Sequence, residues 1–404
     1  MKDVEMHVEA SDEIENIITP YSVEYFERQL SDAKVLKVKN DLIPLGDTVP
    51  TEHGKLFFGD YDKFVRNDYL SFESIEKLSL ASESNSWFKQ EVDYKNDKVG
   101  CDRLPANALS KFKKTIVYQN LMDSAVVNLF AALSATTTNV ELQYLYNRIN
   151  IEENIHAMTY GHGLNIVFGQ EAKEILDMAY NTPEIKRRLD FEKYYADRFI
   201  EIVINQKRDD DEAKMAILQA LGATFLLEGI KFPSSFYLTW NINKVYENPI
   251  QGFSRSLKLI SWDEMTVHTT TGSTVLKILK KYKDQGFQHL FPQFETWFRH
   301  YAEEVVNEDM IWNEYLLEDG EIPGFTYDIG QHVSRYWADK RCSEMGFDVI
   351  YGEKKSDIID WMNSYRDLKK GVTALQEADA TNYQKGKLKN DLDRFDDFKF
   401  KSLR

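Results

Sequence analysis

From Leu104 to about Gly346, apolar residues recur at three- and four-residue spacings with hardly a break. That is the period of a helix face, so the whole stretch is confined to helices. Leu109, Phe112, Ile116, Val117, Leu121, Val126, Leu129 and Phe130 mark the face over 104–135, and Leu142, Leu145, Ile149 and Ile155 mark it over 139–168. The pattern predicts further helices over roughly 184–205, 211–243, 250–283, 292–318 and 328–345. Asn181-Thr182-Pro183-Glu184 supplies a stop and a proline-initiated restart. Pro233 removes a backbone donor inside the 211–243 pattern and predicts a kink. No alternating strand pattern or internal repeat competes. The expected fold class is all-α, a bundle of long helices.

The flanks read differently. Residues 1–100 are mixed, with loop signals at Asp41–Gly46, Thr51–Gly54 and Asp93–Gly100. After about Gly352 apolar residues thin out, and the composition reads as a solvated tail. The expected organisation is an N-terminal extension (1–100), a helix bundle (101–350) and a tail (351–404).

Lys plus Arg number 50 against 66 Asp plus Glu, a formal net charge of −16. That balance argues against nucleic acid and anionic membrane as partners. With Cys101 and Cys342 the only cysteines, neither a disulfide framework nor a cysteine-based zinc site can be built. The expectation is a reduced, cytoplasmic, soluble protein. Met1–Asn16 lacks the basic start and apolar run of a signal peptide. The longest apolar runs, near Ser124–Ala135 and Ala216–Leu227, fall short of the ~20 residues of a membrane span and read as buried helices.

Two histidines have unusual company. His156 follows Glu152-Glu153-Asn154-Ile155, and His268 follows Asp263-Glu264-Met265-Thr266-Val267. Residues three or four apart share a helix face, so each Glu–His pair can present an oxygen and an imidazole nitrogen together. One such pair alone is most simply a surface ion pair. Here, however, Asp123 and Glu228 also fall within apolar helical faces, where a bare carboxylate is too costly to leave unpaired. A carboxylate on each of two helices and a Glu–His pair on each of two others is the ligand set of a helix-bundle dinuclear site. The candidate metal ligands are therefore Asp123, Glu153, His156, Glu228, Glu264 and His268. Four carboxylates and two imidazoles suit two iron ions or a manganese-containing pair.

This constellation resembles the radical-generating small (beta) subunit of class I ribonucleotide reductase, over roughly 87–350. The resemblance implies a ferritin-like bundle in which an oxygen-activating dimetal centre oxidises a tyrosine to a stable radical. Tyr160, four residues after His156, matches that tyrosine. Trp87 resembles the family's electron-relay tryptophan, and Asp263 resembles the acid between that tryptophan and a ligand histidine. Phe232, Phe236 and Ile260 match the apolar pocket around the radical. A dry aliphatic and aromatic shell is also what a long-lived tyrosyl radical requires. The family implies a homodimer that passes its oxidising equivalent to a large (alpha) subunit, docked by a flexible C-terminus carrying a relay tyrosine. Tyr383 and the Phe- and Asp-rich stretch Asp391–Phe400 match those features, although the terminal Lys401-Ser402-Leu403-Arg404 does not.

The family reads Glu-x-x-His in its second pair, whereas here one more residue separates Glu264 from His268. A one-residue bulge or plain i,i+4 presentation is expected there. Trp262 also stands where the family commonly has Arg. The competing readings are a ferritin-like oxidase or monooxygenase acting on an organic substrate, and an iron-storage bundle.

Overall fold

The computed structural model describes residues 54–60 and 70–366. They form thirteen α-helices: α1 (Glu73–Ser84), α2 (Asp97–Arg103), α3 (Ala106–Thr136), α4 (Val140–Phe168), α5 (Glu171–Asn181), α6 (Pro183–Phe199), α7 (Asp211–Leu226), α8 (Phe232–Val245), α9 (Gln251–Trp262), α10 (Thr269–Lys281), α11 (Phe291–Leu317), α12 (Tyr327–Met345) and α13 (Asp357–Arg366). Among the described residues there is no strand, only isolated bridges between Phe57 and Thr137 and between Ile322 and Phe325. The all-α expectation holds.

The centre of the bundle is built from α3, α4, the α7–α8 rod and the α9–α10 rod. Only Thr137–Asn139 separates α3 from α4, so the two return along each other. Asn139 starts α4 by accepting the Leu142 N–H at 2.9 Å, satisfying one of the donors that a helix start leaves free. The two rods each contain a π turn, at Leu227–Lys231 and at Asp263–His268. A third lies at Ile200–Asn205 after α6. Pro233 stands just beyond the first of these rod turns, in the opening turn of α8. There the missing N–H adds to a ladder already widened by the π turn.

Ala106–Thr136 and Asp211–Val245 are long and apolar enough to cross a membrane by length and composition. The most apolar window of the second is wholly buried, and 61% of that of the first is buried. Both are core helices packed on other helices.

The flanks need correction. The stretch read as a loop at Asp93–Gly100 runs into helix α2, and α1 precedes it inside the region read as mixed. The start of the segment read as a solvated tail is α13, which buries Ile359 and Met362. Helix α2 offers only Val99 and Cys101 as apolar residues, too few to set a period, whereas α13 carries Ile358, Trp361, Met362 and Tyr365 at helical spacing inside a stretch read as polar. Tertiary partners hold both in place. Asp97 of α2 accepts the backbone N–H groups of Gly252 and Phe253, both at 2.9 Å, capping α9 from a distance. Asp339 of α12 accepts the N–H groups of Ile350 and Tyr351 at 2.8 and 2.9 Å and so fixes the turn toward α13.

The α2–α9 junction admits only glycine at position 100. A Cβ there would lie 1.6 Å from the carbonyl oxygen of Pro249. Gly100→Ala should lower the unfolding free energy by about 1–3 kcal/mol, the usual cost of overpacking. Urea denaturation of the variant checks this, and an unchanged midpoint would contradict the close approach.

Candidate metal centre

The four central segments each deliver part of one cluster. Asp123 comes from α3, Glu153 and His156 from α4, Glu228 from the first rod's π turn, and Glu264 and His268 from the second rod's. All six are buried. Asp123, Glu153, His156 and Glu264 each bring a ligand atom within 4.8 Å of the others, and so do Glu153, Glu228, Glu264 and His268. Glu153 and Glu264 belong to both groups. The geometry is that of two adjacent positions sharing two carboxylates, with Asp123 and His156 at one end and Glu228 and His268 at the other.

The extra residue between Glu264 and His268 is taken up by the π turn, which is the one-residue bulge of the two presentations expected. Glu264 and His268 stay together, with Oε2 to Nδ1 at 3.1 Å. His268 Nδ1 also lies 3.0 Å from Glu153 Oε1. His156 Nδ1 lies 2.9 Å from Glu264 Oε1. Both histidines therefore turn Nδ1 toward the shared carboxylates.

Their outer nitrogens meet other acids. His156 Nε2 lies 3.1 Å from Asp263 Oδ2, which accepts the Trp87 indole N–H at 2.7 Å. The Trp87 ring stacks on the His156 ring, with centroids 5.9 Å apart and planes 17° apart. Asn85 donates to the other Asp263 oxygen at 2.6 Å. Tyr160 is fully buried, as are Phe232, Phe236 and Ile260, and the two phenylalanine rings stack at 5.9 Å. Thus Trp87, Asp263 and His156 form one connected set. Tyr383 and Asp391–Arg404 lie outside the described residues.

Sequence reasoning passed over Glu152, whose Oε2 lies 2.9 Å from His268 Nε2. It also passed over Asn85 and Ser82. The signal was present in part, since Glu152-Glu153 repeats the acid doublet Asp263-Glu264.

Electrostatics bear on what the cluster can hold. No oxygen of Asp123, Glu153 or Glu228 accepts a well-formed hydrogen bond, although His268 Nδ1 comes within 3.0 Å of Glu153 Oε1. Buried carboxylates left that way are strongly unfavourable as bare anions. Burial first, and then the neighbouring carboxylates, push Asp123 and Glu228 far above the usual acid range. Burial alone would lower both imidazoles, but the surrounding carboxylates outweigh it and raise them. It would also raise Glu264, yet the charge of His268 and hydrogen bonds with its neighbours hold it low. Four carboxylates and two neutral imidazoles are matched by two divalent cations of the borderline-to-hard class. The residues fit a dimetal centre.

The family described as "Ribonucleotide reductase, small chain" matches residues 69–357. A ribonucleoside-diphosphate reductase subunit beta from Buchnera aphidicola subsp. Baizongia pistaciae is 26% identical over 365 residues, covering 86% of this chain and 95% of that one. The Escherichia coli O157:H7 ribonucleoside-diphosphate reductase 1 subunit beta is 24% identical, with 84% and 94% covered. Among solved structures, the ribonucleotide reductase R2 subunit from Clostridium botulinum superposes with a TM-score of 0.70 at 21% identity, covering 80% of this chain and 99% of that one. The dimanganese(II) NrdF of Streptococcus sanguinis gives 0.60 at 17% identity, covering 76% and 99%.

Without metal, the raised acids and imidazoles hold protons that ligation must displace. Uptake of Mn(II) should therefore release protons and weaken as the buffer is acidified. Calorimetric titration in buffers of different ionisation enthalpy checks this, and heats independent of buffer would contradict it.

Proposed function

This chain belongs to the ribonucleotide reductase small-chain family, and from that premise we propose how its residues perform the work of the class I beta subunit, a ribonucleoside-diphosphate reductase component. The observation that carries the reading is the continuous contact from Trp87 through Asp263 and His156 to the shared carboxylates, with Tyr160 one turn further along α4. Asp123, Glu153, His156, Glu228, Glu264 and His268 would hold two metal ions. When bound and supplied with dioxygen, such a centre furnishes an oxidant strong enough to take an electron from a phenol. Iron is the pair proposed. A manganese-containing pair suits the same ligands, and dimanganese is what the Streptococcus sanguinis neighbour carries by name.

The protein's own part is ligation, proton control and dryness. Burial, reinforced by the negative charges of Asp123, Glu264 and Glu153, raises Tyr160 well above the ordinary phenol value. It therefore holds its proton until it is oxidised, and Asp123 is the neighbouring carboxylate to receive that proton. Phe232, Phe236 and Ile260 keep water from the ring. Trp87 gives an electron a route inward, with Asp263 joining its indole to His156. The tail beyond 366, with Tyr383 as relay, docks the large subunit, where ribonucleotides become deoxyribonucleotides.

An oxidase acting on an organic substrate needs room beside the metals. Among the described residues, the cavity lined by Met122, Val126, Ala196, Ala223 and Leu227 has only about 40 Å³ and none of the six ligands in its wall, against roughly 300 Å³ or more for small-molecule sites. That favours an internal tyrosine as the group oxidised. The chain works in the cytoplasm, consistent with two buried free thiols. It pairs as a homodimer through α4, where Tyr144, Ile151, Met158 and Ile166 form an exposed apolar seam at seven- and eight-residue spacings.

Spectroscopy, turnover and assembly test this. Ferrous iron and oxygen added to the metal-free chain should give a tyrosyl doublet in low-temperature electron paramagnetic resonance. Tyr160→Phe should abolish it with metal content unchanged. Tyr383→Phe should keep the doublet but lose turnover with the large subunit. A doublet surviving in Tyr160→Phe rejects the assignment. Sedimentation equilibrium should find a dimer that Ile151→Glu converts to monomer, and a dimer unaffected by that charge would place the interface elsewhere.

A further inference from the structure

We propose that Glu152 is a positioning residue for the second metal position, holding His268 so that Nδ1 alone faces the ions. The inference rests on the dimetal reading above and extends it to a residue outside the ligand set. Imidazole has two nitrogens, and the one that ligates is selected by what the other bonds to. For His268, Nε2 lies 2.9 Å from Glu152 Oε2, while Nδ1 faces Glu153 and Glu264 at 3.0 and 3.1 Å. Glu152 thereby fixes both the tautomer and the plane of the ring.

The arrangement mirrors the one at His156. Asp263 precedes the shared carboxylate Glu264 and takes Nε2 of the histidine on α4. Glu152 precedes the shared carboxylate Glu153 and takes Nε2 of the histidine on the opposing π turn. Each segment therefore clamps the other's histidine. Helix geometry explains the sequence adjacency. Successive residues are about 100° apart around the axis, so an acid beside an inward-pointing Glu aims sideways at the neighbouring helix.

Glu152 is itself held. Its Oε1 accepts the Ser82 hydroxyl at 2.5 Å, and the Arg148 guanidinium lies 3.6 Å away. Arg148 in turn donates to Ser82 Oγ at 3.2 Å and to Ser86 Oγ at 2.8 Å. Glu152 is 4% exposed. A carboxylate placed there only for stability would not need to meet the one imidazole nitrogen that points away from the ions. The outer partners of both clamps come from one short stretch. Ser82 serves Glu152, while Asn85 and Trp87 serve Asp263.

Metal binding to the full-length chain tests this without relying on turnover. Metal-free protein is titrated with Mn(II), and the free ion is followed by its electron paramagnetic resonance signal. The wild type should take two ions per chain. In Glu152→Ala one ion should bind as in the wild type and the other about 10- to 100-fold more weakly. His268→Ala should weaken the same ion, and the double variant should lose little more. Glu152→Gln, which keeps an acceptor oxygen, should recover most of the affinity. Ser82→Ala should weaken that ion by less, and it decides the matter should Glu152→Ala fail to give a native circular dichroism spectrum. Two ions bound by Glu152→Ala with wild-type affinities would overturn the proposal and leave the dimetal reading standing. So would equal loss of both ions. A wild-type chain that binds no pair of ions would overturn the dimetal reading, and this one with it.

Discussion

Four carboxylates brought within reach of one another inside an apolar bundle dominate this molecule. Their mutual repulsion and lost hydration must be met by cations or protons, because the protein offers them almost no donors. Everything near them follows from that requirement. Helix α7 is buried on nearly every side, and α3 and α4 bury the faces that carry the acids, so water is kept out while the backbone hydrogen bonds stay satisfied within each helix. The histidines turn Nδ1 toward the shared carboxylates, where each would offer a nitrogen to a bound ion, and their outward faces are tied to further acids. A buried cluster so rich in acids fits a chain whose folded form metal would complete.

The π turns show how the backbone serves the same end. Glu228 sits in one, and Glu264 and His268 sit in another. A wide turn gives up regular α-helical bonding, which is unfavourable unless the surroundings hold it in place. Here the gain is register. The extra residue in Glu264-Met265-Thr266-Val267-His268 would swing the imidazole around an ideal α-helix, and the wide turn absorbs it so that both ligands still face Glu153.

Much of this was legible in the sequence, and the part that was not has a physical reason. Long helices announce themselves by period, so α3, α4 and the two rods could be read from residues such as Phe112, Ile116 and Leu145. Asp123 and Glu228 stood out because an acid in an apolar face contradicts its surroundings. The short helix α2 gave no such signal, since its contact with the distant Gly252 decides it, while the four-residue period of α13 was lost in the polar stretch around it. Apart from the acid doublet that it forms with Glu153, Glu152 gave little sign of its contact, for a related reason. It looks like any solvated helix acid until the opposing segment is in place and His268 arrives beside it.

The two ends of the centre also terminate in different chemistry. Beyond His156 and Asp263 lies an indole, a ring that can surrender an electron. Beyond His268 and Glu152 lies a guanidinium, a fixed positive charge that cannot, and that disfavours any positive hole near it. Charge leaving or entering a bound metal pair would therefore meet an oxidisable ring on one side and a fixed cation on the other. Two metal positions built from nearly the same side chains would thereby acquire a direction, set by nothing more than which side chain stands behind each histidine.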